Sequence, residues 1–144
     1  MKRWLGVDHG TKRIGLAIAE EGRAIAGPIA VIEATPLQAA YDKIAQAARE
    51  YEVVGVVVGW PINMDDTEGP QAIAARKFAA ALARSTGLDV RLWDERLSSA
   101  DADGKLAGHY TRKQKRARQD AIAAATILRD FLAADGPRVA PKPE

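Results

Sequence analysis

The chain has 144 residues, 21 Lys+Arg against 19 Asp+Glu, and a formal net charge of +2. That length fits one compact domain and excludes a two-domain enzyme or a long repeat array. Hydrophobic residues make up 47% and charged residues 28%, the balance of a folded globular protein and not of a disordered one. Because 29 of the residues are alanine, the larger apolar side chains must cluster in few places.

The absence of cysteine excludes disulfides, thiolate zinc sites and cysteine nucleophiles. The opening MKRWLGVDHG has only a short apolar run, broken at Asp8, which is not the pattern of a signal peptide. The longest apolar stretch, Val53 to Ile62, is far shorter than the ~18 residues a membrane span needs. A cytoplasmic protein with no membrane partner is expected. Charge is informative by location: Arg112, Lys113, Lys115, Arg116 and Arg118 place five cations in the segment TRKQKRAR, a candidate phosphate-contacting surface.

In chain order, Arg3 to Val7 reads as a strand ending at Asp8, followed by a Gly-Thr turn at residues 10–11. Ile14, Leu16 and Ile18 alternate in a second strand over 13–19, and 24–32 gives a third, so the first part is an antiparallel meander. Pro36 opens a helix whose apolar face is Leu37, Ala40, Tyr41, Ile44, Ala48 and Tyr51. The β-branched run Val53 to Val58 predicts a strand covered on both faces. A loop over 59–69 leads to a helix from Pro70, ended by Gly87. A fifth strand over 88–93, a short helix over 97–107, a basic loop and a last helix over about 116–133 complete the order β-β-β-α-β-α-β-α-α. The expected fold is α/β, a mixed five-stranded sheet with helices on both faces, in one domain over residues 1–134. The proline-rich remainder, 135–144, is expected to be a disordered tail.

Strand ends carry the candidate chemistry, because α/β folds place ligands at the C-terminal edges of their strands. Asp8 ends the first strand, and Asp94 and Glu95 end the fifth. Asp120 falls on the stripe of Ala124, Ile127 and Phe131, so it faces the protein body. A carboxylate turned inward needs a counter-charge. An arginine, Arg13 or Arg96, is one solution. The other is Mg²⁺ or Mn²⁺: magnesium takes few carboxylates together with water and phosphate oxygens. Two such ions ~3.5–4 Å apart can activate water and stabilise the leaving oxygen in phosphodiester cleavage. His9 adjoins Asp8 and reads as a surface histidine more readily than as a ligand. Ser98 and Ser99 read as helix caps, and nothing resembles a nucleophile elbow. Trp4, Trp60 and Trp93 read as packing residues, Trp60 with some exposure. The Asp-x-Gly-Thr turn also resembles the phosphate loop of actin- and sugar-kinase-type ATPases, but those need two such domains.

Four segments, GVDHGTKRIGLAIA, VVGWPINMDDTEGPQA, LWDERLSSADA and QDAIAAATILRDFL, together resemble the YqgF/RuvX family over Arg3 to about Leu132. The resemblance implies an RNase H-like fold and a metal-dependent nuclease acting on structured nucleic acid, foremost in 5′-end processing of pre-16S rRNA during ribosome biogenesis. A Holliday junction resolvase acting on branched DNA, as RuvC is, and a non-cleaving RNA-binding assembly factor are the alternatives. A monomer or weak homodimer is expected. By the same resemblance Asp8, Glu95 and Asp120 form the catalytic, metal-binding triad, and Lys12, Arg13 and Arg96 contact backbone phosphates. The cluster Arg112, Lys113, Lys115 and Arg116 would hold the substrate, and the loop over 108–114 matches a mobile family segment. Two departures stand out. Asp66 replaces a glycine common in the family, and aspartate is among the better substitutes if that position needs a positive φ. RNase H and RuvC enzymes carry an acid at the end of the fourth strand. Here that place reads Gly59-Trp60-Pro61, and the acid must come from Glu95, one strand further from Asp8.

Overall fold

The computed structural model describes residues 2–23, 25–97 and 112–143, with side chains left out at 97 and 112–118. Five strands form one sheet: β1 (Arg3–His9), β2 (Arg13–Glu20), β3 (Ala26–Glu33), β4 (Gly55–Trp60) and β5 (Val90–Asp94). Their order across the sheet is β3-β2-β1-β4-β5. The meander β1-β2-β3 is antiparallel, whereas β4 and β5 run parallel to β1. The parallel strands require crossovers, and α1 (Leu37–Glu50) and α2 (Pro70–Thr86) supply them. Gly87 ends α2 in the left-handed conformation at φ 72°, as its position in the sequence predicts.

Side-chain alternation along the strands makes two cores. Leu5, Val7, Leu16, Val56, Val58 and Leu92 face α1 and α2, with Ile44, Phe78 and Leu82. Trp4, Ala17, Val57 and Trp93 face the opposite way, onto α3 (Arg112–Ala133) through Ala124, Ile127, Leu128 and Phe131. Phe131 packs edge-on between the two indoles, 5.1 Å from Trp4 and 5.9 Å from Trp93. The sheet is therefore covered on both faces, as the sequence predicts.

The second face depends on glycines. A Cβ on Gly6 would lie 2.8 Å from the carbonyl oxygen of Ala124 and 2.8 Å from Leu128 Cβ. A Cβ on Gly15 would fall inside the backbone carbonyl of Asp120. α3 thus rests on β1 and β2 at backbone contact distance, which only residues lacking Cβ permit.

Three expectations change. The basic segment read as a loop before residue 116 is helical from Arg112, because Arg, Lys, Gln and Ala are all strong helix formers. The short helix over 97–107 lies outside the described residues except for Leu97, which ends a 3₁₀ turn over Glu95–Leu97.

The third change is the C-terminal segment, which is packed and not disordered. α4 (Gly136–Val139) follows Asp135, Ala140 is 7% exposed, and the Leu92 amide donates to the Pro141 carbonyl at 2.8 Å. Arg91 Nη1 donates to the carbonyls of Pro137 and Ala140. The segment lies against the outer edge of β5: Pro137 stands in the first turn of α4, where its missing N–H costs nothing, and Pro141 follows the C-cap Ala140. Deleting 135–144 is expected to cost about 2 kcal/mol, or roughly 5 °C in a melting curve. An unchanged Tm would mean that this packing adds nothing. On the opposite edge, β3 holds Pro28, which has no N–H, and the β2–β3 register shifts between Leu16 and Ala17.

Candidate active site at the C-terminal edge of the sheet

Strand register puts Asp8 between two glycines. On β2 its partner is Gly15. On β4, where Val7 pairs with Val58, the next position is Gly59. Each glycine leaves room for an acid delivered from elsewhere. Over Gly15 lies the backbone of Asp120, from α3. Over Gly59 lies the side chain of Glu95: a Cβ there would be 2.7 Å from Glu95 Oε1 and 2.7 Å from Ile127 Cδ1. Acids from three segments therefore meet along the sheet edge, Asp120 over β2, Asp8 on β1 and Glu95 over β4, on the face that carries α3.

This arrangement brings Glu95 closer than the sequence implies. Its backbone leaves the end of β5, two strands from Asp8, but the 3₁₀ turn folds the side chain back over the end of β4. The carboxylate thus occupies a position one strand from Asp8, where neighbouring strands lie ~4.8 Å apart. Gly59 stands where an acid would otherwise be and makes way for one from the next strand.

The electrostatics report crowding. Burial, and secondarily the charge of Asp120, raise the Asp8 carboxyl to about 6. Burial, then Asp8, then Asp94, raise Glu95 to about 7. Two neighbouring acids are both held toward the protonated form near neutrality, which is the signature of a site short of positive charge. Asp120 is already compensated: Arg13 Nε donates to its Oδ2 at 2.7 Å. Of the two partners expected for Asp120, the structure shows the arginine.

Among the described residues no three acidic or histidine side chains stand close enough to enclose a metal ion together. The donor chemistry nevertheless fits magnesium or manganese. Asp8 and Glu95 offer hard oxygens, repel each other and carry no cationic partner of their own among the described contacts. Mg²⁺ binds through one or two carboxylates and completes its shell with water and phosphate oxygens. Asp120 would join by giving up Arg13.

The remaining candidates separate. Lys12 is exposed in the β1–β2 turn beside the site. Arg13 is spent on Asp120. Arg96 is held by acids of this chain: its guanidinium grips Asp94 through Nε and Nη2, at 2.7 Å for the latter. Its Nη1 donates to Asp66 Oδ1 at 2.8 Å and to the Asn63 carbonyl at 3.0 Å. The hydrogen bonds from Arg96 hold Asp94 below the usual carboxylate range, so Asp94 serves Arg96 and not the acidic row. Arg112, Lys113, Lys115 and Arg116 lie on the first two turns of α3, with their side chains outside the described residues. The positions 108–111 and Ser98 and Ser99 lie outside them as well.

His9 is not beside the acids. It alternates to the other sheet face and stacks on Phe78 with ring centroids 4.5 Å apart, where burial lowers its pKa. Trp60 is half-buried and donates to Glu68 Oε2 at 3.0 Å, which also accepts from Arg76 at 2.8 Å. The loop between β4 and α2 is tied at that end to the helix and at the other to Arg96. Sequence reading assigns Gly15 no role, and marks Gly59 and Asp66 only as departures from the family pattern. An isolated glycine inside a strand is the signal for close backbone approach.

The family described as "RuvX: Holliday junction resolvase" matches residues 2–134 of the chain. A protein of Anaeromyxobacter sp. (strain Fw109-5), named "Putative pre-16S rRNA nuclease", is 45% identical over 131 residues, covering 90% of this chain and 96% of its own. One of the same name from Myxococcus xanthus (strain DK1622) is 43% identical over 136 residues, covering 94% and 90%. Among solved structures, T. thermophilus RuvC in complex with Holliday junction substrate superposes with a TM-score of 0.62 at 15% identity, over 99% of each chain. Fowlpox virus resolvase, solved with Holliday junction DNA, gives 0.51 at 10% identity, over 90% of this chain and 98% of its own. At such identities these structures speak for the fold, which is the RNase H-like fold of the resolvases. No described helix is long and apolar enough to cross a membrane. With sequence matches running nearly end to end and the fold in agreement, the chain belongs to the RuvX family.

Proposed function

We propose that this protein is a nuclease that hydrolyses phosphodiester bonds in structured nucleic acid, with precursor 16S rRNA as its substrate. The observation that carries the reading is the row of acids at one sheet edge, with Asp8 raised toward neutrality by burial and the charge of Asp120, and Glu95 by burial and the charges of Asp8 and Asp94. Such a row attracts a hard divalent cation and, through it, a phosphodiester. The substrate class is supported by the names of relatives that match this chain over nine-tenths of its length.

Asp8 and Glu95 would hold the cation, in a one- or two-ion arrangement with Asp120. When bound, the ion lowers the pKa of a water nucleophile and neutralises charge on the leaving oxygen. The chain's own residues do the rest. Gly15 and Gly59 keep the approach to Asp8 open, and α3 excludes water from the inner side of the row. Arg13 holds Asp120 in line until a phosphate offers it an alternative partner. Lys12 and the cationic start of α3 add attraction for the nucleic-acid backbone, which predicts weaker binding as salt rises.

End-labelled precursor 16S rRNA, four-way junction DNA and linear duplexes, each with Mg²⁺ or Mn²⁺, form the test. Cleavage of the precursor RNA ahead of the junction is the expected result. Preferred cleavage of the junction at symmetric positions would replace RNA processing by junction resolution. Retained RNA binding without cleavage of any substrate would leave an assembly factor and overturn the nuclease.

A further inference from the structure

Glu95 reaches the acidic row only because the chain turns sharply at the end of β5, and something must hold that turn. The backbone amide of Arg96 donates to Asp94 Oδ1 at 2.9 Å, closing the turn locally. The Arg96 side chain then ties the turn to the loop after β4 through Asp66 and the Asn63 carbonyl. The loop is itself braced. Asn63 donates to Thr67 twice, from its amide to the carbonyl and from Nδ2 to the hydroxyl, the Asp66 amide donates to the Asn63 carbonyl, and Asp65 accepts from both the amide and the hydroxyl of Thr67.

Asp66 is an unexpected residue for this position. Its φ is 70°, in the left-handed region that favours glycine. Its side chain is 85% exposed, so its ion pair adds little to global stability. What aspartate provides and glycine cannot is a second carboxylate for Arg96. With Asp94 on one side and Asp66 on the other, the planar guanidinium is fixed in orientation, which a lysine could not reproduce.

We infer that Asp66 and Arg96 are positioning residues for Glu95: the Arg96 fork across Asp94 and Asp66 fixes the turn that lays the Glu95 carboxylate over Gly59 beside Asp8. The inference deepens the nuclease reading and rests on it for its consequence in metal binding, while the placement of Glu95 is measurable without any metal.

The experiment uses the full chain as wild type, Asp66→Gly, Arg96→Lys and Glu95→Gln. Glu95 Oε1 and the Ile127 δ1 methyl each lie 2.7 Å from the place a Cβ on Gly59 would take, so the NMR resonances of the Gly59 amide and that methyl report where the carboxylate lies. In metal-free Asp66→Gly and Arg96→Lys both probes are expected to shift in the direction that Glu95→Gln shifts them. Mn²⁺ affinity by calorimetry is expected to fall about ten-fold, as for loss of a residue that orients a ligand. The Tm of Asp66→Gly is expected to be unchanged or raised, since glycine relieves the positive φ. Unmoved probes would overturn the inference, and so would a lowered Tm that accompanies every other effect. If the wild type binds no Mn²⁺, the metal reading of the site fails, and the NMR probes still decide whether the clamp places Glu95.

Discussion

Asp8→Asn is expected to lower cleavage by roughly 10³-fold, the loss of several kcal/mol of transition-state stabilisation that accompanies removal of a central metal ligand. The same substitution is expected to make the metal-free protein more stable at pH 8. The stability result follows from one fact: Asp8 and Glu95 are raised to about 6 and about 7. A carboxyl whose folded pKa lies above its unfolded value binds more protons in the folded state. Its contribution to stability is complete below the unfolded value near 4 and is lost as pH rises through 6 to 7. The metal-free wild type should therefore melt at progressively lower temperature between pH 4 and pH 8. With partial solvent screening, each group accounts for about 2 kcal/mol of that loss.

Asparagine keeps the shape of Asp8, removes its charge and relieves Glu95. Melting curves at pH 8 without metal should place Asp8→Asn roughly 5 °C above the wild type. Adding Mg²⁺ should raise the wild type and leave the variant nearly unmoved. Equal melting of the two proteins at pH 8 would mean that the acids do not strain the fold. Equal cleavage by both would remove Asp8 from catalysis and point to a contaminating nuclease.

Gly15→Ala is expected to cost about 3–5 kcal/mol. The added carbon would enter the Asp120 carbonyl, and the obstacle is helix backbone, which cannot rotate away as a side chain could. Overpacking in a well-packed core ordinarily costs 1–3 kcal/mol. Here the whole of α3 must lift from β2, which also loosens the contact at Gly6 and carries Asp120 and its Arg13 pair away from Asp8. Circular dichroism melts measure the stability, and cleavage at a temperature where the variant remains folded measures the displacement of Asp120. Gly27→Ala serves as a control, because nothing lies within 4 Å of a Cβ there. A Gly15→Ala protein as stable as that control would show that α3 does not rest on β2.

Much of this was legible in the sequence because the signals are local. Alternation in Ile14, Leu16 and Ile18, the β-branched run to Val58 and the glycine at 87 each specify their element within a few residues. The inward bearing of Asp120 followed from its spacing to Ala124, Ile127 and Phe131. Other features depend on contacts between distant segments. Nothing near Glu95 reveals that its side chain folds back over Gly59, because the room for it is made 36 positions earlier. That the Arg96 guanidinium is held between Asp94 and Asp66 was not legible, because Asp66 reaches it only in the folded chain. The C-terminal prolines suggested disorder because composition does not show that Arg91 and Leu92 offer them partners on a strand edge.

The strapped β5 edge has a bearing on how this protein behaves in a crowded solution. A sheet grows by recruiting a strand at an open border, and that is the usual route from a folded domain to an aggregate. On one side the chain's own last residues already occupy the border. On the other, Pro28 withholds a donor and the shifted register at Leu16 and Ala17 breaks the rhythm a newcomer would have to match. Copies of the molecule that associate must do so through helices and loops, so concentrating this protein should leave its strand content constant and give no thioflavin-positive material.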